Sequence, residues 1–454
     1  MKKVIYFIAI CLVATSCSVF GKYSRPQVVT DNIYGVDVKS TDSTTIADID
    51  WRTFFTDKHL QKLIEQGLEN NADMQSAAQR IIAAEATYKT ARLAFIPGFN
   101  FNPSYTLNSG KSSLSLPINA SWEVDITGRI LNSKRSAKAA YEQSRLYRQS
   151  VQTALVTSIA NYYYTLLMLD AQLEVSRSTA DSWRENVRIM KAMKLAGMTN
   201  EASVSQTEAN SCSINASLFD LEYDITRIEN ALALLLGTTP QHFERGSIYE
   251  QNLNSKLAVG IPAQLLAHRP DVRSAEKQLE QAFYATNSAR GAFIPKLTLS
   301  GQIGLAIPTD LITSLTAALA TPIFNAGSNH ARLKIAKAEQ EQALIAFKHT
   351  LLKAGNEVND ALAKCQAAIG KRDIRKQQIA ALESAVNSTQ QLMRHSESTY
   401  LEVLTAQQKL LSAQLSQITD KFDEIQGIIE LYRALGGGID HNEDISALPK
   451  RRRK

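Results

Sequence analysis

The stretch DMQSAAQRIIAAEATYKTARLAFIP at residues 73–97 decides the fold, because the chain repeats it as DVRSAEKQLEQAFYATNSARGAFIP at residues 271–295. Ten of these 25 positions are identical at an offset of 198. Further along the chain the offset is 199, and it aligns Gly128 with Gly327 and Leu236-Gly237 with Leu435-Gly436. A repeat on this scale predicts two copies of one structural unit of about 200 residues.

Each copy has the same order of predicted elements. A helical stretch ends at a proline, a hairpin-like β segment follows, and two long helices run to a glycine. Residues 130–192 lack Pro and Gly and place apolar residues three and four apart, which predicts a helix roughly 95 Å long. Residues 330–393 repeat the pattern, and partner helices are predicted over about 200–236 and 398–435. The short junctions between partners predict antiparallel hairpins with coiled-coil packing.

The four extended segments, within about 98–122 and 296–321, alternate apolar and uncharged polar residues. In the first segment Phe99, Phe101, Tyr105 and Leu107 alternate with Asn, Ser and Thr. Such segments are typical of a transmembrane β-barrel, and the alternative is two hairpins on a soluble core. Four strands cannot close a barrel, and unpaired edges are not tolerated in lipid. Other chains must therefore complete it, with eight strands from two copies or twelve from three.

The N-terminus predicts export and lipidation. Lys2 and Lys3 precede an apolar run of about ten residues, and small residues lead to Cys17, so we interpret residues 1–16 as a signal peptide. A cysteine after small residues resembles a bacterial lipobox in which Cys17 is acylated; the alternative is an ordinary signal with an incidental cysteine. Ser18, in place of an aspartate, favours the outer membrane. Several acyl chains would anchor the chain stably.

Other function classes find no support in the sequence. The net charge is +6, and the last five residues, 450–454, are all basic. No basic cluster interleaved with aromatic residues predicts nucleic-acid binding. The seven histidines lack metal-ligand spacing, and Cys212 and Cys365 lie far apart with no CxxC spacing. No P-loop or dinucleotide motif is present. We therefore predict a protein that is not an enzyme and has no cofactor.

Several motifs in order resemble those of the TolC-like outer-membrane efflux proteins, in the lipoprotein branch that serves resistance-nodulation-division drug pumps. The resemblance runs from about Tyr23 to Gly438. The most specific stretch is LLAHRPDVRSAE at residues 265–276, which leads to FIP at 293–295. The other similar stretches are YSRP at 23–26, WRTFF at 51–55, WEVDITGR at 122–129, PIFNAG at 322–327 and YLEVLTAQ at 400–407.

This resemblance implies a homotrimer in which a twelve-stranded outer-membrane barrel continues as a helical tunnel in the periplasm. Its implied partners are a periplasmic adaptor protein and an inner-membrane pump. The periplasmic aperture of the family matches Glu402 and Thr405 here. Three Glu402 carboxylates in a ring would repel one another and select cations, and the alternative is an ordinary solvated residue. Thr405 stands where close relatives can carry a second carboxylate. Short turns at 108–112 and 306–310 predict a bare outer mouth.

The predicted fold is mainly α with a small β membrane part. The predicted segments are a signal peptide (1–16), a lipidated N-terminal segment (17–50), a first repeat (51–240), an equatorial linker (241–261), a second repeat (262–438) and a basic tail (439–454). The predicted function is the outer-membrane channel of a tripartite efflux system, which passively conducts drugs, dyes and amphiphiles. The alternatives are an exit duct for protein secretion or metal-ion efflux, and a periplasmic scaffold that conducts nothing.

Overall fold

The computed structural model describes residues 20–28, 33–34, 45–108, 111–251, 253, 268–307, 311–320, 325–394 and 400–438. The predicted signal peptide, Cys17 and the basic tail lie outside these residues. The described chain is mostly helical with one small sheet, which confirms the predicted fold class. No described helix is both long and apolar enough to span a bilayer.

Both copies contain a helix, antiparallel strands, a long helix and its partner helix in the same order, and the first copy also has two short helices at its start. The first contains α1 (Trp51–Phe54), α2 (Lys58–Asn70), α3 (Ala72–Leu93), β1 (Gly98–Phe101), β2 (Ser104–Asn108), β3 (Lys111–Val124), α4 (Arg129–Leu195) and α5 (Glu201–Leu235). The second contains α6 (Pro270–Gly291), β4 (Lys296–Ile307), β5 (Leu311–Ala320), α7 (Ser328–Arg394) and α8 (Tyr400–Ala434). Both long helices have 67 residues and both partner helices have 35. The predicted bounds of the two long helices and of their two partner helices are confirmed to within three residues.

All strands of the sheet are antiparallel, in the order β1-β3-β4-β5, and β2 also pairs with β3. The β3–β4 pairing joins the two copies, from Leu114 opposite Ile307 to Val124 opposite Leu297. β1 and β2 share one register on β3, so they form a single predicted segment that is interrupted at Asn102 and Pro103. The interruption follows from chemistry, because Pro103 has no N–H to donate to the ladder.

The chain forms two compact units, and each draws on both copies. The first unit comprises residues 77–148 and 270–351 together with the N-terminal stretch 20–28. The second comprises the described parts of 30–76, 149–269 and 352–454. Its core contains most of the largest fully buried side chains, including Trp51, Tyr163 and Tyr432. There Phe54 stacks on Tyr432 with ring centroids 4.0 Å apart, which fixes α1 against α8.

Candidate functional site: the two sheet faces and the predicted aperture residues

One face of the sheet is apolar and is not covered by the described chain. The register places Phe101 opposite Ile118 and Ile118 opposite Ile303, so aromatic and aliphatic side chains form a row across β1, β3 and β4. Phe99 is 71% exposed and Leu315 is 87% exposed. A soluble protein would bury an apolar surface of this extent. The face therefore has the chemistry of a surface that contacts lipid.

The opposite face is polar and almost uncharged. One row crosses the whole sheet, because Asn100 pairs with Asn119, Asn119 with Gln302 and Gln302 with Ser314. Among the side chains that the structure describes on this face, the charged ones are Glu123 and Lys296, at the end where the helices attach. Amides and hydroxyls offer water hydrogen bonds in both directions without attracting counterions. This face is suited to lining an aqueous passage.

A glycine lets the two copies approach closely within the sheet. A Cβ atom on Gly304 would lie 2.5 Å from the backbone oxygen of Leu116 and 2.6 Å from Cα of Pro117. The carbonyl of Pro117 accepts a hydrogen bond from the Asn102 amide at 3.3 Å. In an antiparallel ladder the N–H and C=O of a residue point to the same neighbour. The donor that Pro117 lacks is therefore missing on the β1–β2 side, away from Gly304.

Polar contacts hold the helices at the end of the sheet. The Asp125 carboxylate accepts hydrogen bonds from the amides of Ile130 and Leu131 at 3.0 and 2.7 Å, which caps the start of α4. Arg129 donates to Glu123 at 2.7 Å. The indole N–H of Trp122 donates to the Phe95 carbonyl at 3.0 Å. These bonds fix the direction in which α4 leaves the strand.

The predicted aperture residues lie on α8. Glu402 and Thr405 are exposed and share one face of the helix, whereas Val403, Leu404 and Ala406 are buried. The hydroxyl of Thr405 donates to the Leu401 carbonyl at 2.8 Å. That hydroxyl is therefore directed at its own helix. The predicted junction at residues 395–398 lies outside the described residues.

Two polar contacts of this unit escaped the sequence analysis. The amide of Asn186 on α4 donates to Oε1 of Gln407 on α8 at 3.0 Å, and Gln172 donates to Oγ1 of Thr419 at 3.2 Å. Both tie the first long helix to the α7–α8 hairpin. Isolated amides in a helix belong to no motif, so the sequence contains no signal that could have identified them.

The predicted linker is fastened to the helices by a charge cluster. The Arg245 guanidinium, 7% exposed at its side chain, contacts Asp170 and Glu229 at 2.5 Å each. Burial opposes its charge, but hydrogen bonds to both carboxylates prevail and raise the pKa of Arg245. Burial, then the hydrogen bond to Asp57, raises the pKa of Tyr163, whose hydroxyl accepts from the Gly246 amide at 3.2 Å. These groups hold the linker, and at every physiological pH Arg245 stays charged and Tyr163 stays neutral.

The described residues contain two free cysteines and no cluster of potential metal ligands. Cys212 is exposed, Cys365 is buried, and both are free. Burial raises the pKa of the Cys365 thiol to about 11, so it stays protonated. Among the described residues no group of three or more His, Cys, Asp or Glu side chains is arranged to hold a metal ion.

Comparison with known proteins identifies the family to which the chain belongs. Residues 63–238 and 261–437 match the family model described as outer membrane efflux protein, with one match in each copy of the repeat. These ranges cover more than half of the chain, so it belongs to the outer membrane efflux protein family. Family membership confirms the predicted resemblance, the outer-membrane location and the function as an efflux channel. It also confirms the predicted assembly, a trimer that works with an adaptor and an inner-membrane pump.

Individual relatives are similar along almost their whole length. The chain is 28% identical to the cation efflux system protein CusC of Escherichia coli (strain K12), over 94% of this chain and 98% of that protein. It is 29% identical to the solvent efflux pump outer membrane protein SrpC of Pseudomonas putida, over 94% and 96%. The solved outer-membrane channel OprN superposes with a TM-score of 0.84 at 23% identity, over 93% and 99%. A crystal structure of CusC gives 0.81 at 27% identity, over 93% and 100%.

Proposed function

We propose that three copies of this chain close a twelve-stranded barrel whose polar face lines a passive conduit. The observation that supports this is the two-faced sheet, with an exposed apolar face and an uncharged polar face. Within the described residues, β1 and β2 pair only with β3, and β5 pairs only with β4, so the sheet of each chain has two open edges. Unpaired backbone groups cost several kcal/mol each in lipid, so the edge strands of neighbouring chains must pair with them. The chain catalyses no reaction, and the inner-membrane pump supplies the energy.

The organisation of the chain is part of this proposal. We infer that residues 1–16 are removed, that Cys17 is lipidated and that 17–50 is a lipidated segment. The first repeat at 51–240 and the second at 262–438 are joined by the linker at 241–261, and 439–454 is a tail. The stretch that follows Cys17 is attached to the second repeat, which is consistent with a separate N-terminal segment. Arg25 forms a bidentate ion pair with Glu276 at 2.7 Å. The Tyr23 amide also donates to the Tyr284 hydroxyl at 3.3 Å.

Lipidation has a direct test. Wild-type protein should incorporate labelled palmitate and fractionate with the outer membrane, and Cys17→Ser should lose the label. Cys212→Ser is the matched control, because it removes an exposed thiol and should retain the label. Equal labelling of the wild type and Cys17→Ser would contradict lipidation at this residue.

We propose that the cargo consists of small organic molecules such as drugs, dyes and amphiphiles. The names of relatives refer to cations, toluene, solvents and antibiotics, at 28–29% identity, so similarity alone does not choose among them. The polar face favours neutral and amphiphilic solutes, since it presents amides and hydroxyls rather than charges. The alternatives, metal-ion efflux and protein secretion, are distinguished by the same experiment.

The test compares a deletion strain with and without the restored gene. Accumulation of an efflux dye, sensitivity to an antibiotic panel, sensitivity to copper and silver salts, and the set of secreted proteins would be measured together. Higher dye and antibiotic accumulation, reversed by the gene, supports organic cargo. Changes confined to metal sensitivity or to secreted proteins would overturn it in favour of the corresponding alternative. Purified protein that forms no conducting pore in a planar bilayer would overturn the conduit itself.

We propose that Glu402 and Thr405 line the periplasmic aperture and that three Glu402 carboxylates favour cations there. Glu402→Gln removes the charge at nearly constant size, so cation preference, measured as the reversal potential in a salt gradient, should fall. Thr405→Val should leave it nearly unchanged, because the threonine hydroxyl is bonded to its own helix. Glu69→Gln on α2 is a control for the loss of one exposed carboxylate. An unchanged reversal potential for Glu402→Gln would remove this residue from the aperture.

A further inference from the structure

A groove of about 570 Å³ lies in the first unit, where the helices join the sheet. Side chains of α4, α6 and α7, together with Lys296 at the start of β4, form its walls. The groove combines three basic groups, one acid, several serines and a floor of small apolar residues. None of the aperture residues belongs to it.

The groove opens on the polar side of the sheet. Lys296 is in step with Thr298, Ser300 and Gln302 along β4, so it stands on the polar face. Ala285 and Ala289 on α6, and Ala292 directly after it, line the groove. The N-terminal stretch contacts α6 through Glu276, Phe283 and Tyr284, none of which lines the groove. At 100° per residue Glu276 and Phe283 point away from the alanines of the groove, and no residue of the N-terminal stretch 20–28 lines it.

The charges leave the groove positive. Arg129 is paired with Glu123, with 2.7 Å between the nearest atoms. Lys296 and Arg332 are exposed, and the described part of the chain offers neither of them an ion-pair partner. The acid in the wall is Glu339, which is also exposed. Ile335, 58% exposed, lies one turn along α7 from Arg332. A cationic pair beside an apolar patch matches a molecule that has an acidic group on an apolar body.

We propose that this groove is a binding station for organic anions in the conduction path. The acid group of the ligand, a sulfonate or carboxylate, would bind Lys296 and Arg332, and its apolar body would lie on Ile335 and the alanines of α6. The inference rests on the proposed channel function and adds a substrate class to it. Since the aperture residue Glu402 is acidic, the two places have opposite charge preferences.

The test uses the purified full-length protein in planar bilayers with naphthalene-2-sulfonate as a blocking anion. The double variant Lys296→Gln/Arg332→Gln should weaken the block at least about tenfold, because it removes two charge-assisted contacts. Lys334→Gln/Lys337→Gln is the matched control, since it removes two exposed lysines from the opposite side of α7, and its block should change less than about twofold. The uncharged analogue naphthalene-2-methanol should distinguish none of these proteins.

A second variant acts in the opposite direction. Glu339→Gln removes the acid from the wall and should strengthen the sulfonate block, and molar salt should reduce the difference by screening. Unchanged block in Lys296→Gln/Arg332→Gln, or an equal loss in the control pair, would overturn the station. Either result in a pore of normal conductance leaves the channel function intact, whereas wild-type protein that conducts nothing overturns both.

Discussion

The first and second copies of the repeat solve the same packing problem with different chemistry. In the first copy the side-chain amide of Asn71 donates to the Leu235 carbonyl at 3.0 Å, in the last turn of α5. In the second copy Arg269 donates to the Ala434 carbonyl at 3.0 Å, in the last turn of α8. The donors differ by 198 residues and the acceptors by 199, so the contacts are equivalent under the repeat.

The two donors impose different requirements on their surroundings. Asn71 is neutral, and its side-chain oxygen also caps α3 by accepting from the Asp73 and Met74 amides at 2.9 and 3.1 Å. Arg269 is a buried cation, and it is paired with Glu357 at 2.7 Å. The residue equivalent to Glu357 in the first copy is Ser158. A neutral tie needs no counter-charge, whereas a buried guanidinium does.

The start of α6 changes with the donor. Arginine cannot cap a helix as asparagine does, and α6 begins at Pro270, which has no N–H that needs a cap. In the first copy α3 begins at Ala72, whose helix is capped by Asn71. Both copies therefore keep the same hydrogen bond to the last turn of the partner helix. The neighbouring residues differ between the copies in the way that each donor requires.

The largest expected effect on stability distinguishes the arginine donor of the second copy from the asparagine donor of the first. Arg269→Asn copies the first repeat but leaves the Glu357 charge without its main partner, and it should destabilise the protein by about 3–5 kcal/mol. Asn71→Ala loses a cap and a neutral tie, and it should cost about 1–2 kcal/mol. Thermal unfolding of the purified proteins, followed by circular dichroism in detergent, measures both.

The double variant Arg269→Asn/Glu357→Ser is the control for this explanation. It reproduces both features of the first copy and should recover most of the stability that the single variant loses. A double variant no more stable than Arg269→Asn would show that the loss does not come from the unpaired carboxylate.

An intermediate effect is expected where the two copies agree. Gly237 and Gly436 end α5 and α8 with φ of +65° and +99°. A Cβ atom would lie 2.8 Å from the Asn70 oxygen in one case and 2.9 Å from the His268 backbone in the other. Substitution of either by alanine should cost about 1–3 kcal/mol, measured by the same unfolding experiment.

A third glycine provides the control of opposite sign. Gly370 lies inside α7 with open space around its Cα, so Gly370→Ala should stabilise the helix by roughly 0.5–1 kcal/mol. Clearly unequal losses at Gly237 and Gly436 would contradict the view that both copies use one turn geometry.

The smallest effect depends on pH. Lys277 on α6 pairs with Glu142 on α4 at 2.7 Å. Burial would raise the pKa of Glu142, but the hydrogen bond and charge of Lys277 outweigh it, and the pKa is lowered. A lowered folded pKa contributes stability above the unfolded pKa and loses it as the pH falls through the folded value. Glu142→Gln should therefore cost under about 1 kcal/mol near neutral pH, and this cost should vanish in acid.

The repeat supplies the matched control for the pH experiment. Glu341 is equivalent to Glu142, but the residue equivalent to Lys277 is Gln79, which has no charge. Urea unfolding at a series of pH values compares Glu142→Gln with Glu341→Gln, which removes an exposed carboxylate at the equivalent position of the second copy. A pH-dependent loss in Glu341→Gln equal to that of Glu142→Gln would assign the effect to general surface charge.

Sequence identity between the two copies identified the helices and the glycine turns that end them, but not the side-chain hydrogen bonds between the helices. Gly237 and Gly436 are conspicuous in the sequence because the same backbone conformation demands the same residue. Asn71 and Arg269 are not, because a hydrogen-bond donor to a carbonyl can be an amide or a guanidinium. The same limit applies to Asn186 and Gln407, whose contact joins segments that share no pattern.

The sequence by itself determined the repeat, the lengths of the helices, the alternation of the strands and, through its motifs, the family. These are local or periodic properties, because a side chain's face follows from the 3.6-residue and two-residue periods. Only the tertiary structure decided that Arg269 forms an ion pair with Glu357, that Gly304 packs closely against Pro117, and that Lys296 and Arg332 line one groove. Such contacts depend on how distant segments pack, and a one-dimensional pattern does not contain the distances between them.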